Sequence, residues 1–293
     1  MASFNRRKPK GKLASFLTKP RSLKQSLHRQ QLDTAQPGRP SLRRRGIYLL
    51  PNAFTTAALF CGFYAIVMAM NLKFDHASIA IFAAMVLDGI DGRVARLTNT
   101  QSEFGAQYDS LSDMVSFGAA PALVVYEWSL RGMGKLGWLA AFVYCAGAAL
   151  RLARFNTNIE VVDKRFFQGL PSPAAAALVA GFIWLMDDLR FAGAELNWFS
   201  WTITLYAGLT MVSNVPFYSF KDVNFRKSVP FITVFLIVLA FVGVASDPPT
   251  VLFGLFVLYG LSGYGFYFWR LFKGKPVSIV QTKSESADEK EPT

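Results

Sequence analysis

Long apolar stretches separated by short polar loops make up most of this chain. A helix needs about 20 residues to cross the roughly 30 Å hydrocarbon core of a bilayer, and eight stretches reach or approach that length. They are residues 47–71, 77–97, 109–130, 136–156, 171–190, 198–218, 229–246 and 250–271. The pattern predicts an all-α fold, a polytopic membrane bundle of about eight transmembrane helices.

The two ends of the chain lack this apolar pattern. Residues 1–46 carry 13 Lys or Arg against a single acid, Asp33, and such a composition is typical of disorder. We therefore expect a disordered basic arm at residues 1–46. The polar residues 276–293 predict a disordered tail, which leaves residues 47–275 as the membrane domain.

Composition and charge agree with a membrane protein. Hydrophobic residues make up 52% of the chain, charged residues 17%, and the mean hydropathy is +0.29. Basic residues follow every second predicted span, on the same side as the arm, so the positive-inside rule puts both termini in the cytoplasm. This topology and attraction to anionic lipid account for the net charge of +12, so no nucleic-acid partner is needed.

Four aspartates stand out at the ends of two apolar stretches: Asp88, Asp91, Asp109 and Asp113. Carboxylates near a membrane helix are costly and usually functional. The first two are three residues apart and the last two are four apart, so each pair lies on one helix face. An antiparallel turn through residues 97–104 would bring the two faces together.

The residue types at this place favour a hard metal ion. Carboxylate oxygens without His or Cys ligands suit Mg²⁺ or Mn²⁺, which commonly bridge carboxylates and substrate phosphates. Gly92 and Gly105 leave space for such a group one helical turn from an aspartate. Arg96 would offer a forked donor to phosphate, and Ser102 or Thr98 a hydroxyl.

Two other classes of protein compete with an enzyme that uses metal and phosphate. A cation transporter would spread its acids through several spans near the membrane midplane, whereas these acids gather at one edge. A membrane scaffold that binds partners through the basic arm would leave the aspartate spacing unexplained.

The segment resembles the signature of the CDP-alcohol phosphatidyltransferases, D-x-x-D-G-x-x-A-R, eight residues, G-x-x-x-D-x-x-x-D. Every fixed position is present, as Asp88, Asp91, Gly92, Ala95, Arg96, Gly105, Asp109 and Asp113. The resemblance implies a catalytic six-helix membrane core in which an alcohol displaces CMP from a CDP-linked lipid.

The same resemblance implies roles for individual residues. Metal, as two Mg²⁺ or Mn²⁺ ions, would be held by the four aspartates, and Asp113 would also accept the proton. The CDP-lipid would be bound by a further set: Asn52, Thr55, Gly92, Arg96, Ser102 and Gly105. Asn52 and Thr55 belong to it because they are polar groups on one face of the first apolar stretch, where similar residues occur in the family.

Sequence segments outside the signature resemble the phosphatidylserine-forming branch of this family. They include LLPNAFT, FCGF, FGAAPAL, RLARFN, FQGLPSPAAA and SNVPFYSFK, spread over about residues 47–235. This implies CDP-diacylglycerol and L-serine as substrates, phosphatidylserine and CMP as products, and the inner membrane of a bacterium as the location. Arg151, Arg154 and Asn156 are candidates to bind serine, because its carboxylate needs a cation.

Two questions stay open at this point. Glycerol 3-phosphate, inositol phosphate or choline would use the same aspartates as serine, and the 151–165 loop is basic enough for a phosphorylated acceptor. The small-residue stretches at 147–150 and 173–181 suit close helix packing, either at a homodimer contact or within one protomer.

Overall fold

A computed structural model describes residues 42–157, 166–219 and 231–273. The chain divides into two units, Met1–Gly46 and Ile47–Thr293. Residues 42–46 of the predicted disordered arm, 1–46, belong to the first helix. The rest of the arm and the predicted disordered tail, 276–293, lie outside the described residues.

The first half of the described chain consists of helices joined by short turns. α1 spans Leu42–Met70 and α2 spans Phe74–Thr98. The next helix starts as α3, Glu103–Asp113, continues through a π-helical turn at Met114–Ala119, and ends as α4, Ala120–Trp128. A short 3₁₀ turn, Leu130–Met133, follows it.

The second half is also mainly helical. Its long helices are α5 at Lys135–Thr157, α6 at Ser172–Asp188, α7 at Asn197–Val212, α8 at Phe231–Ser246 and α9 at Pro248–Phe272. A 3₁₀ turn at Gly193–Leu196 precedes α7. Two short strands, β1 at Phe166–Gln168 and β2 at Pro216–Tyr218, pair antiparallel, with Phe167 opposite Phe217.

Each of the eight predicted apolar stretches coincides with a helix, and the helical membrane fold is confirmed. Among the described residues, three segments are long and apolar enough by themselves to cross a membrane: Leu50–Met70, Lys135–Thr157 and Pro248–Phe272. The prediction was wrong at the end of the sixth stretch. α7 stops at Val212, and Ser213 is extended, with ψ 164°. Proline at position 216 has no N–H to donate to the Val212 carbonyl, so the helix cannot continue through it.

The small-residue stretches pack inside the chain. A Cβ at Gly147 of α5 would lie 2.5 Å from the carbonyl oxygen of Gly208 on α7, so the two helices touch through backbone. Ala174–Ala180 of α6 are buried in the core, where α6 packs against α2 and α9. The structure thus supports the second reading of these stretches, packing within one protomer.

Candidate active site

Three of the four aspartates lie close enough together to share a ligand. Asp88 and Asp91 lie near the end of α2, and Asp109 lies in α3. One carboxylate oxygen from each lies within 4.8 Å of the other two. The turn expected from the sequence therefore forms, and it gathers carboxylates from two helices at one point.

Backbone conformation and one capping side chain shape the turn between α2 and α3. Asn99 ends α2 in the left-handed conformation, with φ 52°, which asparagine adopts more readily than most residues. Ser102 then caps α3, its Oγ accepting a hydrogen bond of 3.0 Å from the backbone N–H of Gly105. Because Ser102 Oγ is the acceptor in this bond, its O–H can still donate to a CDP group, as the predicted contact requires.

Asp113 borders this cluster. It is the last residue of α3, one turn beyond Asp109, and it is not among the three residues whose oxygens lie within 4.8 Å of one another. The charged side chains close enough to interact electrostatically with Asp113 are Asp88, Asp109 and Arg151. The π-helical turn begins at the next residue, and such turns are frequent at functional sites.

α1 supplies a hydroxyl that orients one aspartate. Thr55 Oγ1 donates to Asp91 Oδ2 at 2.7 Å, and both side chains are buried. On the other side, Ser112 of α3 donates to the Thr55 carbonyl and Ser116 of the π-helical turn to the Ala58 carbonyl, each at 3.1 Å. α1 is thus tied to both aspartate-bearing helices. The sequence indicated a cytidine contact for Thr55 and missed its bond to Asp91.

The donor set fits a hard divalent cation. The three clustered groups are all carboxylates, and carboxylate oxygens are the ligands that Mg²⁺ and Mn²⁺ prefer. Asp109 Oδ1 is buried and has no hydrogen-bond partner in the described part of the chain. Because an unpaired buried carboxylate oxygen is costly, a bound cation would stabilise this arrangement.

Histidine does not take part in this cluster within the described residues. His76 lies near the start of α2, about 18 Å along the helix axis from Asp88, and its Nδ1 lies 2.8 Å from Asp75 Oδ1. His28 lies outside the described residues. Carboxylates, not imidazoles, thus make up the cluster in the described part of the chain.

Open space lies beside the aspartates at one of the two signature glycines, Gly92. Within 4 Å, a Cβ at Gly92 would meet Arg96 Nη2 alone, at 3.9 Å. Gly105 is more crowded, since a Cβ there would lie 3.1 Å from Ser102 Oγ and 3.5 Å from Asn52 Oδ1. The Arg96 side chain therefore reaches back over Gly92, and its guanidinium forms no hydrogen bond or ion pair with the described residues. Its guanidinium is available to a phosphate group.

Arg151 brings a positive charge towards the same place from α5. The side chain is half-buried, and the carboxylates that act on it are Asp113 and Asp88. It forms no ion pair with any described residue, and its Nη1 donates to Ser172 Oγ at the start of α6. A half-buried cation without a paired anion favours an anionic ligand. Sequence reasoning did not single out Ser172, although the Pro-Ser-Pro run around it was a signal.

The other two candidates for serine binding lie further towards the end of α5. Arg154 Nη1 donates to Asn214 Oδ1 at 3.2 Å, and the exposed Asn156 donates through Nδ2 to Ser110 Oγ at 3.1 Å. Asn156 thereby links α5 to the aspartate helix α3. The side chain of Arg154 is bonded instead to the segment after α7.

Residues 48–213 match the sequence model of the CDP-alcohol phosphatidyltransferases. The chain belongs to the CDP-alcohol phosphatidyltransferase family. All the predicted site residues, from Asn52 to Asn156, lie inside the matched range, and the resemblance drawn from the signature is confirmed. The chain is an integral membrane protein, and this family generally depends on divalent metal ions.

Several relatives carry the name CDP-diacylglycerol–serine O-phosphatidyltransferase. One from Helicobacter pylori (strain 26695) is 34% identical over 245 residues, which cover 82% of this chain and 98% of the relative. One from Mycobacterium tuberculosis (strain H37Rv) is 36% identical over 180 residues, covering 59% of this chain and 63% of the relative. One from Saccharomyces cerevisiae is 33% identical over 192 residues, covering 61% and 62%.

Proposed function

We propose that this family member transfers the phosphatidyl group of CDP-diacylglycerol to the hydroxyl of L-serine, giving phosphatidylserine and CMP. The observation that carries the proposal is the convergence of Asp88, Asp91 and Asp109 beside Gly92 and its open space. The choice of serine is supported by the names of the relatives, one of which aligns with this chain over nearly its whole length.

The aspartates are proposed to hold Mg²⁺ or Mn²⁺, as two ions. The three clustered aspartates, Asp88, Asp91 and Asp109, are proposed as ligands, with Asp113 at the edge of the cluster as the fourth. Thr55 orients Asp91 through its hydrogen bond. Divalent ions bound here would supply charge neutralisation for the pyrophosphate and would make the acceptor hydroxyl more acidic.

The CDP group is proposed to lie over the two signature glycines. Arg96 reaches over Gly92 and can donate a forked pair of hydrogen bonds to phosphate. The Asn52 amide faces Gly105, and the Ser102 hydroxyl proton lies at the same turn. Thr55 is buried and bonded to Asp91, so it is proposed to support CDP-lipid binding indirectly, by orienting the Asp91 carboxylate.

The chemical step is a displacement at the phosphorus of the phosphatidyl group. The serine hydroxyl oxygen forms the new bond to this phosphorus, and the bond to the CMP phosphate breaks. Asp113 accepts the hydroxyl proton, a role suited to its place between the carboxylate cluster and Arg151 in the network of charges. Arg151, with Arg154 and Asn156 nearby, is proposed to bind the serine carboxylate.

Location and partners follow from the same picture. The basic residues Arg93, Arg96, Arg151 and Arg154 lie at the helix ends that carry the site, so the positive-inside rule puts the site and both termini in the cytoplasm. We propose the bacterial inner membrane, with residues 47–275 as the catalytic domain. Anionic lipid around the basic side is a further proposed partner.

An acceptor panel tests the proposal. The purified protein is given CDP-diacylglycerol, Mn²⁺ or Mg²⁺, and serine, glycerol 3-phosphate, inositol phosphate or choline, and CMP release is followed. We expect release above the water background with serine. Release with glycerol 3-phosphate and none with serine would contradict the choice of acceptor while leaving the family chemistry in place.

A further inference from the structure

The residue that holds Arg151 lies on a rigid backbone segment, residues 169–173, which we call the strap. Gly169 has φ +75°, and a Cβ there would lie 2.3 Å from the Met211 carbonyl oxygen. The N–H of Gly169 donates to the Val215 carbonyl at 2.9 Å, and the N–H of Leu170 donates to the Thr210 carbonyl at 3.1 Å. The strap is thereby fixed to the end of α7.

Ser172 sits in the strap between two prolines. Pro171 and Pro173 each fix their own φ and cannot donate a backbone hydrogen bond, and Ser172 is the first residue of α6, with no exposed surface. Its hydroxyl therefore has little freedom to move. A buried serine at this position is well suited to hold another side chain in one orientation.

The partner of Ser172 is a side chain with several donors. A guanidinium is planar and carries five N–H groups in a fixed fork, so the bond from Nη1 to Ser172 restrains one nitrogen and leaves other donors available. Tyr259 of α9 is a further electrostatic neighbour of Arg151. Its hydroxyl donates to the Tyr218 carbonyl at 3.2 Å, and its ring packs against Phe217 at 5.7 Å. The guanidinium is thus surrounded by α5, α6 and α9.

We propose that Ser172 is a positioning residue for the acceptor: it holds the Arg151 guanidinium so that its remaining donors face the acceptor's anionic group. This inference rests on the proposed function, in which that group is the serine carboxylate. Ser172 touches neither phosphate nor metal ligand in this role. Its loss should therefore affect the acceptor and spare the CDP-lipid.

Steady-state kinetics of Ser172→Ala test this role. We expect the KM for serine to rise about ten-fold, the size of one lost hydrogen bond to a charged group, while the KM for CDP-diacylglycerol and the slow release of CMP to water stay unchanged. Ser172→Thr, which keeps the hydroxyl, should recover much of the serine KM. Ser200→Ala is the matched control, since Ser200 is equally buried and donates to the backbone carbonyl of Leu196, the residue just before its own helix.

Three outcomes would overturn the inference. The first is an unchanged serine KM, the second an equal rise with Ser200→Ala, and the third a rise in the KM for CDP-diacylglycerol instead, which would mean that Arg151 serves a phosphate. If Ser172→Ala does not fold, Ser172→Cys replaces it. A wild-type protein that ignores serine contradicts the proposed function, and the same comparison with the acceptor it does use then decides the role of Ser172.

Discussion

The two sides of the candidate site are built in different ways. The metal side comes from one continuous segment, residues 88–113, in which helix periodicity and one turn bring the carboxylates together. The acceptor side combines the end of α5, the strap and the segment at Asn214, which lie 21 to 60 residues apart. The chemistry is thus encoded locally, whereas the choice of acceptor depends on tertiary packing. Changes on the two sides should therefore affect different kinetic constants.

The largest effect is expected on the metal side, from Asp113→Asn. An amide cannot accept the hydroxyl proton, and a positioned general base contributes about 10²–10⁴-fold to rate. We expect kcat for CMP release to fall by a factor in that range, measured with saturating serine and CDP-diacylglycerol.

Asp75→Asn is the control for this prediction. Asp75 is an exposed carboxylate at the opposite end of α2, paired with His76, and its loss should leave kcat within about two-fold of the wild type, as for most surface changes. Normal turnover by Asp113→Asn would remove Asp113 from the proton-transfer role.

A smaller effect on the same side is expected from Thr55→Val, which keeps the shape of the side chain and removes its bond to Asp91. Groups that orient a metal ligand are typically worth 10–100-fold in metal affinity or activity. The Mn²⁺ concentration for half-maximal activity should rise by a factor in that range. Thr202→Val is the control, because Thr202 bonds a carbonyl of its own helix. Equal metal dependence of the two variants would count against the Thr55–Asp91 link.

On the acceptor side, Arg151→Lys tests whether the guanidinium itself is needed. A lysine cannot reproduce the fork that bonds Ser172 and an anion together, so the serine KM should rise about ten-fold with metal dependence unchanged. Arg154→Ala should have a smaller effect, because the Arg154 guanidinium already donates to Asn214 Oδ1. A larger rise in the serine KM with Arg154→Ala than with Arg151→Lys would indicate that Arg154, and not Arg151, binds the serine carboxylate.

The smallest change is expected in stability, from Gly169→Ala in the strap. A side chain at φ +75° is strained, and its Cβ would meet the Met211 carbonyl, so the free energy of unfolding should fall by roughly 1–3 kcal/mol. Thermal denaturation in detergent measures this. Gly254→Ala is the control, since nothing lies within 4 Å of a Cβ there and alanine favours helix. Equal stability of the two variants would show that the strap tolerates change.

The difference between the two sides also explains how far the sequence could predict the structure. Apolar length alone predicts the helices, and the spacing of Asp88, Asp91 and Asp109 predicts their convergence, because both follow from regular helix geometry. Thr55 and Asp91 are 36 residues apart, and no local pattern marks such a contact. Ser172 and Asn214 escaped prediction for the same reason.

The hydropathy pattern also could not predict two local features, the strand β2 and the π-helical turn. The apolar residues Pro216–Tyr218 extend the sixth apolar stretch, yet they form β2, because a short apolar run does not distinguish strand from helix. The π-helical turn after Asp113 depends on packing: Tyr144 donates to the Phe117 carbonyl within it at 3.0 Å, and Ser116 bonds α1. Periodicity carries no sign of either contact.

Metal-dependent lipid synthesis is the most direct test of the central claim. Purified protein is incubated with CDP-diacylglycerol and isotope-labelled serine, and labelled lipid and CMP are measured before chelation, after chelation, and after Mn²⁺ or Mg²⁺ is restored. The account predicts labelled phosphatidylserine and CMP in equal amounts, lost with the metal and recovered on its return. Transfer that persists without divalent metal, or CMP released without labelled lipid, would contradict it.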